Sequence, residues 1–136
     1  NGLCDLVRVD LQTGSVVVLR KATPSSPYYR PRVSPDGHSA VVALQRNGRW
    51  RLALVPLELT ATDGDTDVQF IDPDDDANRY DAAFLPGGRR IVCVSDAGGI
   101  PNLEVIDLES GASVPQTRVT SAVSAPAPAV IVSSLP

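Results

Sequence analysis

Residues 28–37 read "YYRPRVSPDG", and 51 residues further along the chain residues 79–88 read "RYDAAFLPGG". The two stretches share a tyrosine, a proline and a glycine at equivalent positions. When the sequence is compared with itself, the same offset aligns residues 29–58 with residues 80–109. Self-similarity at a fixed spacing is typical of repeat architectures. The quoted stretch therefore belongs to a repeated structural unit.

Each unit is predicted to form four short strands joined by turns. The first strand, "RPRV" or "DAAF", ends in "SPDG" or "LPGG", where proline presets φ and glycine accepts a positive φ. The apolar second strand, "SAVVAL" or "RIVCVS", precedes Asn-Gly or Gly-Gly, which suit the primed hairpin turns. Third strands such as "NLEVID" alternate apolar and polar residues, and the fourth strands are "SVVVLR", "DVQFID" and "ASVPQTRV". No segment has the periodicity of a helix.

A second offset, of 46, aligns residues 1–11 with 47–57 and adds a partial copy at the start of the chain. We predict a half unit over residues 1–20 and fuller units over 28–72 and 79–120. Four antiparallel strands repeating every ~40–50 residues describe the blades of a β-propeller. The predicted fold is thus all-β, a partial propeller of about two and a half four-stranded antiparallel blades. Residues 121–136 are uncharged and rich in Ala, Pro, Ser and Val, which indicates a tail or the start of a further blade.

The residue pattern of the repeat resembles that of one protein family. The stretch "RPRVSPDGHSAVVAL", followed by "NGRWRLALVPLE", resembles the PD40 repeat of TolB-like, WD40-like β-propellers, and so do "LVRVDLQTG" and "LEVIDLESG". The resemblance runs from Asn1 to about Thr120. The last full copy departs from the pattern, because residues 85–88 read "LPGG" and lack the Ser and Asp.

The resemblance implies a function in protein binding. TolB-like propellers typically engage peptides or protein partners near the mouth of the central channel, where the innermost strands begin. The implied protein is a non-catalytic binding or scaffolding module, exported to the bacterial periplasm as an accessory subunit of a larger envelope assembly. Its partners would be other protein subunits. The candidate binding residues are Tyr28, Tyr29, Arg30, Arg32, Tyr80 and Asp81. The alternative is that the tyrosine rings pack between blades while the arginines are solvated.

A rival interpretation is enzymatic, because PD40-type propellers also occur as the gating portion of prolyl-oligopeptidase-like serine peptidases and in some polysaccharide lyases. Those functions would need catalytic residues outside this sequence. His38 is the single histidine, and no G-x-S-x-G motif accompanies it. We therefore predict no catalytic site in the chain. Trp50, which begins a third strand, is expected to pack between blades.

Negative charge is concentrated in one segment, which is an insertion within the repeat. Nine carboxylates and one base lie between Glu58 and Asp81, whereas the rest of the chain has seven acids and eleven bases. Within this acidic stretch, Asp63, Asp65 and Asp67 alternate around a glycine, as the oxygen ligands of calcium loops do. The neighbouring "DPDDD" could add ligands. The alternative to a Ca²⁺ site is a solvated acidic loop. The bases are scattered rather than clustered, so a nucleic-acid surface is not indicated.

Three further features limit the interpretation. No window contains the ~20 uninterrupted apolar residues that a membrane helix needs, so any membrane association would be indirect, through a complex. Cys4 and Cys93 form no CxxC pair and are expected to be small buried residues without a redox role. The chain begins at Asn1 without a signal peptide, which indicates a processed product or a part of something longer.

Overall fold

The structure, a computed structural model, describes residues 4–24, 27–58, 68–120 and 126. Within these residues the chain forms ten β-strands. The strands are β1 (Leu6–Val9), β2 (Val16–Arg20), β3 (Tyr29–Val33), β4 (Ser39–Arg46), β5 (Arg49–Pro56), β6 (Gln69–Phe70), β7 (Arg79–Phe84), β8 (Arg90–Ser95), β9 (Asn102–Asp107) and β10 (Ser113–Pro115). No helix that could span a membrane occurs in the described ranges.

The strands of the described residues form three antiparallel sheets. Blade 1 contains β1 and β2, blade 2 has the order β3-β4-β5-β6, and blade 3 has the order β7-β8-β9-β10. Each strand pairs with the next one along the chain, as in the meander of a propeller blade. The predicted fold class is confirmed: the protein is all-β, and its blades are those of a partial propeller.

The turns show why these residues form hairpins. In "SPDG" the Gly37 amide donates to the Ser34 carbonyl at 2.9 Å, and in "LPGG" the Gly88 amide donates to the Leu85 carbonyl at 3.0 Å. Between β4 and β5, Asn47 and Gly48 have φ values of 53° and 75°, as a type I′ turn requires. The turn at residues 98–99 differs, because only Gly99 has a positive φ there and its amide donates to Asp96.

The turns between third and fourth strands repeat one side-chain cap. Asp10 accepts hydrogen bonds from the amides of Gln12 and Thr13, and Asp107 accepts them from Glu109 and Ser110. These backbone hydrogen bonds lower the pKa of both carboxyls, because they stabilise the charged form. The same local chemistry therefore ends the third strand of blades 1 and 3.

Two apolar clusters lie between adjacent blades. The first contains residues of blades 1 and 2, namely Leu6, Leu19, Tyr28, Val42, Leu44, Ala53 and Val55. The second joins blades 2 and 3 through Val41, Ala43, Leu52, Ala82, Ile91, Cys93 and Ile106. Alternate residues of β4 therefore enter different clusters, because successive side chains of a strand point to opposite faces. Blade 2 is apolar on both faces for this reason.

The two cysteines differ in environment. Cys93 is buried in the second cluster as expected, whereas the expectation for Cys4 is wrong because Cys4 is exposed. Cys4 lies before β1 and belongs to neither apolar cluster. Burial raises the pKa of the Cys93 thiol to about 12, since the thiolate would lose its hydration.

This difference predicts selective thiol reactivity. With a thiol-specific chromogenic disulfide reagent at pH 8, Cys4 is expected to react within minutes while Cys93 stays protected until the protein is unfolded. Each protein thiol that reacts forms a mixed disulfide and releases one coloured thiolate from the reagent, so the measurement is the number of protein thiols that react before and after adding guanidinium chloride. The Cys4→Ser variant is the control, and no thiol should react in its native state. Rapid reaction of two thiols in the native protein would contradict the placement of Cys93.

Candidate partner-binding surface

The innermost strands of blades 2 and 3 carry the same irregularity. The pairing of β3 with β4 shifts register between Tyr29 and Arg32, and that of β7 with β8 shifts between Tyr80 and Ala83. Inside each shift lies one residue in the left-handed region: Arg30 with φ 45° and Asp81 with φ 50°. Such conformations cost an L-residue about 1–2 kcal/mol and are concentrated at functional sites. Blades 2 and 3 therefore carry a strained bulge at the same position of the repeat.

The two strained residues form an ion pair across the junction of the blades. The Arg30 Nη1 atom lies 2.5 Å from Asp81 Oδ1, with the arginine side chain half exposed and the aspartate nearly buried. This hydrogen bond raises the pKa of Arg30 above its usual value, and the guanidinium carbon also lies 5.3 Å from the Tyr29 ring centroid. Arg30 therefore places a cation at the surface, and its contacts with Asp81 and Tyr29 fix the position of that cation.

Aromatic side chains surround this ion pair. The ring centroids of Tyr29 and Trp50 are 5.4 Å apart with an interplanar angle of 42°, and Tyr29 is exposed. Both rings, with Tyr80, Arg30 and Asp81, line an open cleft of about 280 Å³. Aromatic residues and arginine are enriched in protein interfaces because they combine large contact area with polar recognition. The cleft can hold one side chain of a partner.

The predicted binding residues divide into two groups. Tyr29, Arg30, Tyr80 and Asp81 meet at the cleft, and Arg32 lies beside it in a small depression shared with Arg30, Asp81 and Pro126. Tyr28 is 4 % exposed and packs in the first apolar cluster, so it contributes packing rather than accessible surface.

Trp50 is the residue that the sequence did not assign to the surface. It packs against the second cluster, as expected for a residue between blades, but it also forms a wall of the cleft. Its backbone amide donates to Asn78 Oδ1 at 3.0 Å, which ties it to the segment before β7. Two features of the sequence could have indicated this role: Trp50 is the single tryptophan, and it follows the Asn-Gly turn.

The acidic residues after β6 are engaged by arginines. Arg51 pairs with Asp72 at 2.8 Å and with Asp74 at 3.2 Å, and Arg49 pairs with Asp76 at 2.7 Å. Burial raises the pKa of Asp72 despite the arginine beside it. These carboxylates therefore fasten the connecting segment to β5. No group of three or more potential metal ligands is found in the part of the chain that the structure describes.

The remaining predicted metal residues, Asp63, Asp65 and Asp67, lie outside the described residues. Calcium binding there stays a prediction. The side chain of His38 is exposed, and its Nδ1 atom lies 3.9 Å from Oε1 of Glu58, which is also exposed.

Arg79 is the most buried charged residue of the junction, with 1 % of its surface exposed. Its two terminal nitrogens donate to the Asp75 carboxylate at 2.7 and 2.9 Å, and its Nε donates to Glu104 at 3.2 Å. Burial opposes the charge of Arg79, but the bonds to Asp75 and Glu104 outweigh it and raise the arginine pKa. The hydrogen bonds that Arg79 donates to Asp75 lower the pKa of that carboxyl to about 2.

The solved structures that resemble this chain agree on the fold. No protein-family model matches the chain, and neither does any curated protein. Among solved structures, TolB from Acinetobacter baumannii aligns with a TM-score of 0.68 and 24 % identity, covering 87 % of this chain and 27 % of that one. The structure of putative TolB from Agrobacterium tumefaciens aligns with a TM-score of 0.63 and 16 % identity, covering 80 % and 36 %. The crystal structure of puromycin hydrolase gives 0.58 and 21 %, covering 80 % and 16 %.

The chain therefore has the TolB-like β-propeller fold and spans about a third or less of each of these structures.

Proposed function

We propose that this chain is a non-catalytic protein-binding or scaffolding module that binds an extended segment of a partner protein. The binding surface is the cleft of Tyr29, Trp50 and Tyr80, with Arg30 and Asp81 at its centre. The observation that carries the proposal is the ion pair between two left-handed residues at equivalent positions of neighbouring blades. Backbone strain of this kind is concentrated at functional sites, which supports a binding role for the two residues.

The chemistry of the surface supports a peptide as partner. A backbone bulge turns polar groups away from the ladder and towards a ligand. Exposed tyrosine offers apolar contact with a hydroxyl at its tip, and arginine offers several donors to carbonyl or carboxylate oxygens. An open cleft of this size suits a single side chain rather than a whole cofactor.

The similarity to TolB structures supports a cellular location for this function. We propose that the protein is exported to the periplasm, as the family resemblance implies, and acts there as an accessory subunit of a larger envelope assembly. Its partners would be other protein subunits.

The test is selection of binding peptides from a displayed random library against the purified protein. For a selected peptide, Tyr29→Ala and Arg30→Ala are each expected to weaken affinity about tenfold or more, because central aromatic and arginine residues dominate interface energies. Arg89→Ala is the matched control, since Arg89 is an exposed arginine paired with Glu109 outside the cleft. Selection of no peptide, or equal binding by all three variants, would refute the proposed function.

A second candidate is the propeller portion of a hydrolase whose catalytic residues lie outside this chain. The alignment with puromycin hydrolase favours it. A sequence of the complete gene that encodes a G-x-S-x-G motif followed by Asp and His would support this candidate over the binding module.

A further inference from the structure

The two charged residues of the cleft differ in how much of each a ligand can reach. The Asp81 side chain is 7 % exposed, whereas the Arg30 side chain is 51 % exposed. Their hydrogen bond joins the Arg30 Nη1 atom to Asp81 Oδ1. A guanidinium has five N–H donors, so Arg30 keeps donors beyond the one that binds Asp81. A ligand that enters the cleft therefore meets the cation of the pair rather than the anion.

Arg32 places a second cation beside this pair. It belongs to β3, in which every residue is exposed. Arg32 lines the small depression that also contains Arg30, Asp81 and Pro126. Within the described residues, the Arg32 side chain forms no ion pair and no hydrogen bond. The two arginines therefore share one carboxylate, which Arg30 already holds.

The carboxylates that follow β6 do not cancel this positive charge, because arginines of the neighbouring strand β5 hold them. Asp72 and Asp74 are paired with Arg51, and Asp76 is paired with Arg49. Their charge is therefore already compensated where they lie.

The binding surface thus has one uncompensated positive charge. Two arginines and one aspartate, Arg30, Arg32 and Asp81, give a local net charge of +1, whereas the whole chain has a net charge of −4. One carboxylate of a ligand would neutralise it. The planar donor fork of arginine matches the two oxygens of a carboxylate, and such charge-assisted hydrogen bonds are about twice as strong as neutral ones. The rings of Tyr29 and Trp50 offer apolar contact next to this charge.

We infer that the binding surface recognises an acidic side chain of the partner: an aspartate or glutamate pairs with Arg30 and Arg32, and a neighbouring apolar side chain enters the cleft. The inference rests on the proposed function and adds the chemical class of the segment that is bound. Arg32 is the specificity-determining residue of this pairing, because its guanidinium has no other partner among the described residues.

The test uses peptides selected from the random library and then synthesised with amidated C-termini, so that side chains carry their only carboxylates. The selected peptides are expected to contain Asp or Glu beside an apolar residue. Replacing that acid by its amide, Asn or Gln, should weaken binding about tenfold, as measured by fluorescence anisotropy of the labelled peptide.

Arg32→Gln should weaken the acidic peptide about tenfold and the amide peptide by less than about twofold, because the two changes remove the same interaction. The variant should keep its melting temperature within about 3 °C of the wild type, since the Arg32 side chain is exposed. Arg89→Gln is the matched control: it removes an exposed arginine paired with Glu109 and should leave both affinities unchanged.

The outcomes separate this inference from the proposed function. Peptides that bind without an acid, or that keep their affinity when the acid becomes an amide, would overturn the acidic specificity and leave the binding module intact. Equal weakening of the acidic and amide peptides by Arg32→Gln would overturn the role of Arg32. Selection of no peptide would overturn the proposed function and this inference together.

Discussion

Replacing Arg79 by leucine is expected to lower the free energy of unfolding by about 3–5 kcal/mol. The single change leaves the nearly buried Glu104 carboxylate without its arginine. It also removes the bidentate partner of Asp75. A charge that has lost both its hydration and its partner is among the most destabilising features that a folded protein can contain.

The measurement is urea unfolding followed by the fluorescence of the single tryptophan, Trp50, which lies at the same junction. Arg89→Leu is the matched control: it breaks an ion pair whose two side chains are about three-quarters exposed, and surface pairs contribute at most about 1 kcal/mol. Equal losses in the free energy of unfolding for the two leucine variants would contradict this prediction, because the burial of the Arg79–Glu104 pair would then add nothing to its contribution.

Local sequence chemistry predicted the strands and turns because each turn depends on a few adjacent residues. Asn47 and Gly48 both accept a positive φ, and the turn forms where the sequence places them. The order of strands within each blade follows from short connections between consecutive strands. The fourth strands of blades 2 and 3 are shorter than predicted, since β6 contains only Gln69 and Phe70 and β10 spans only Ser113–Pro115. After Ile71, Asp72 turns to Arg51 and Pro73 has no amide hydrogen to continue the ladder.

The candidate surface was only partly predictable because its geometry joins residues from different blades. The sequence selected Arg30 and Asp81 separately, and the repeat offset of 51 residues already placed them at equivalent positions. That equivalence was the available signal for their pairing, since neighbouring blades bring equivalent positions side by side. The burial of Arg79 had no such signal, because it depends on carboxylates from two other segments, Asp75 and Glu104.

The second large effect is expected from Leu52→Ala, which should lower the free energy of unfolding by about 2–5 kcal/mol. Leu52 is fully buried at the centre of the cluster between blades 2 and 3, against residues such as Ile91 and Ile106. Truncation to alanine removes buried methyl groups and leaves a cavity that β-sheets held by hydrogen bonds on both sides of β5 cannot readily close. The loss in the free energy of unfolding should therefore be much larger than the loss caused by truncating a surface residue.

Leu11→Ala is the matched control, because Leu11 is 94 % exposed in the turn after β1 and its truncation should change stability by no more than about 0.5 kcal/mol. Both variants are compared by urea unfolding, with the dependence of the free energy on urea concentration checked for a common slope. A common slope with a lower midpoint for Leu52→Ala alone would show that blades 2 and 3 unfold as one unit through this interface. A second, earlier transition in that variant would show that blades 2 and 3 separate before the rest of the fold unfolds, and the cleft, whose walls come from both blades, would then be lost first.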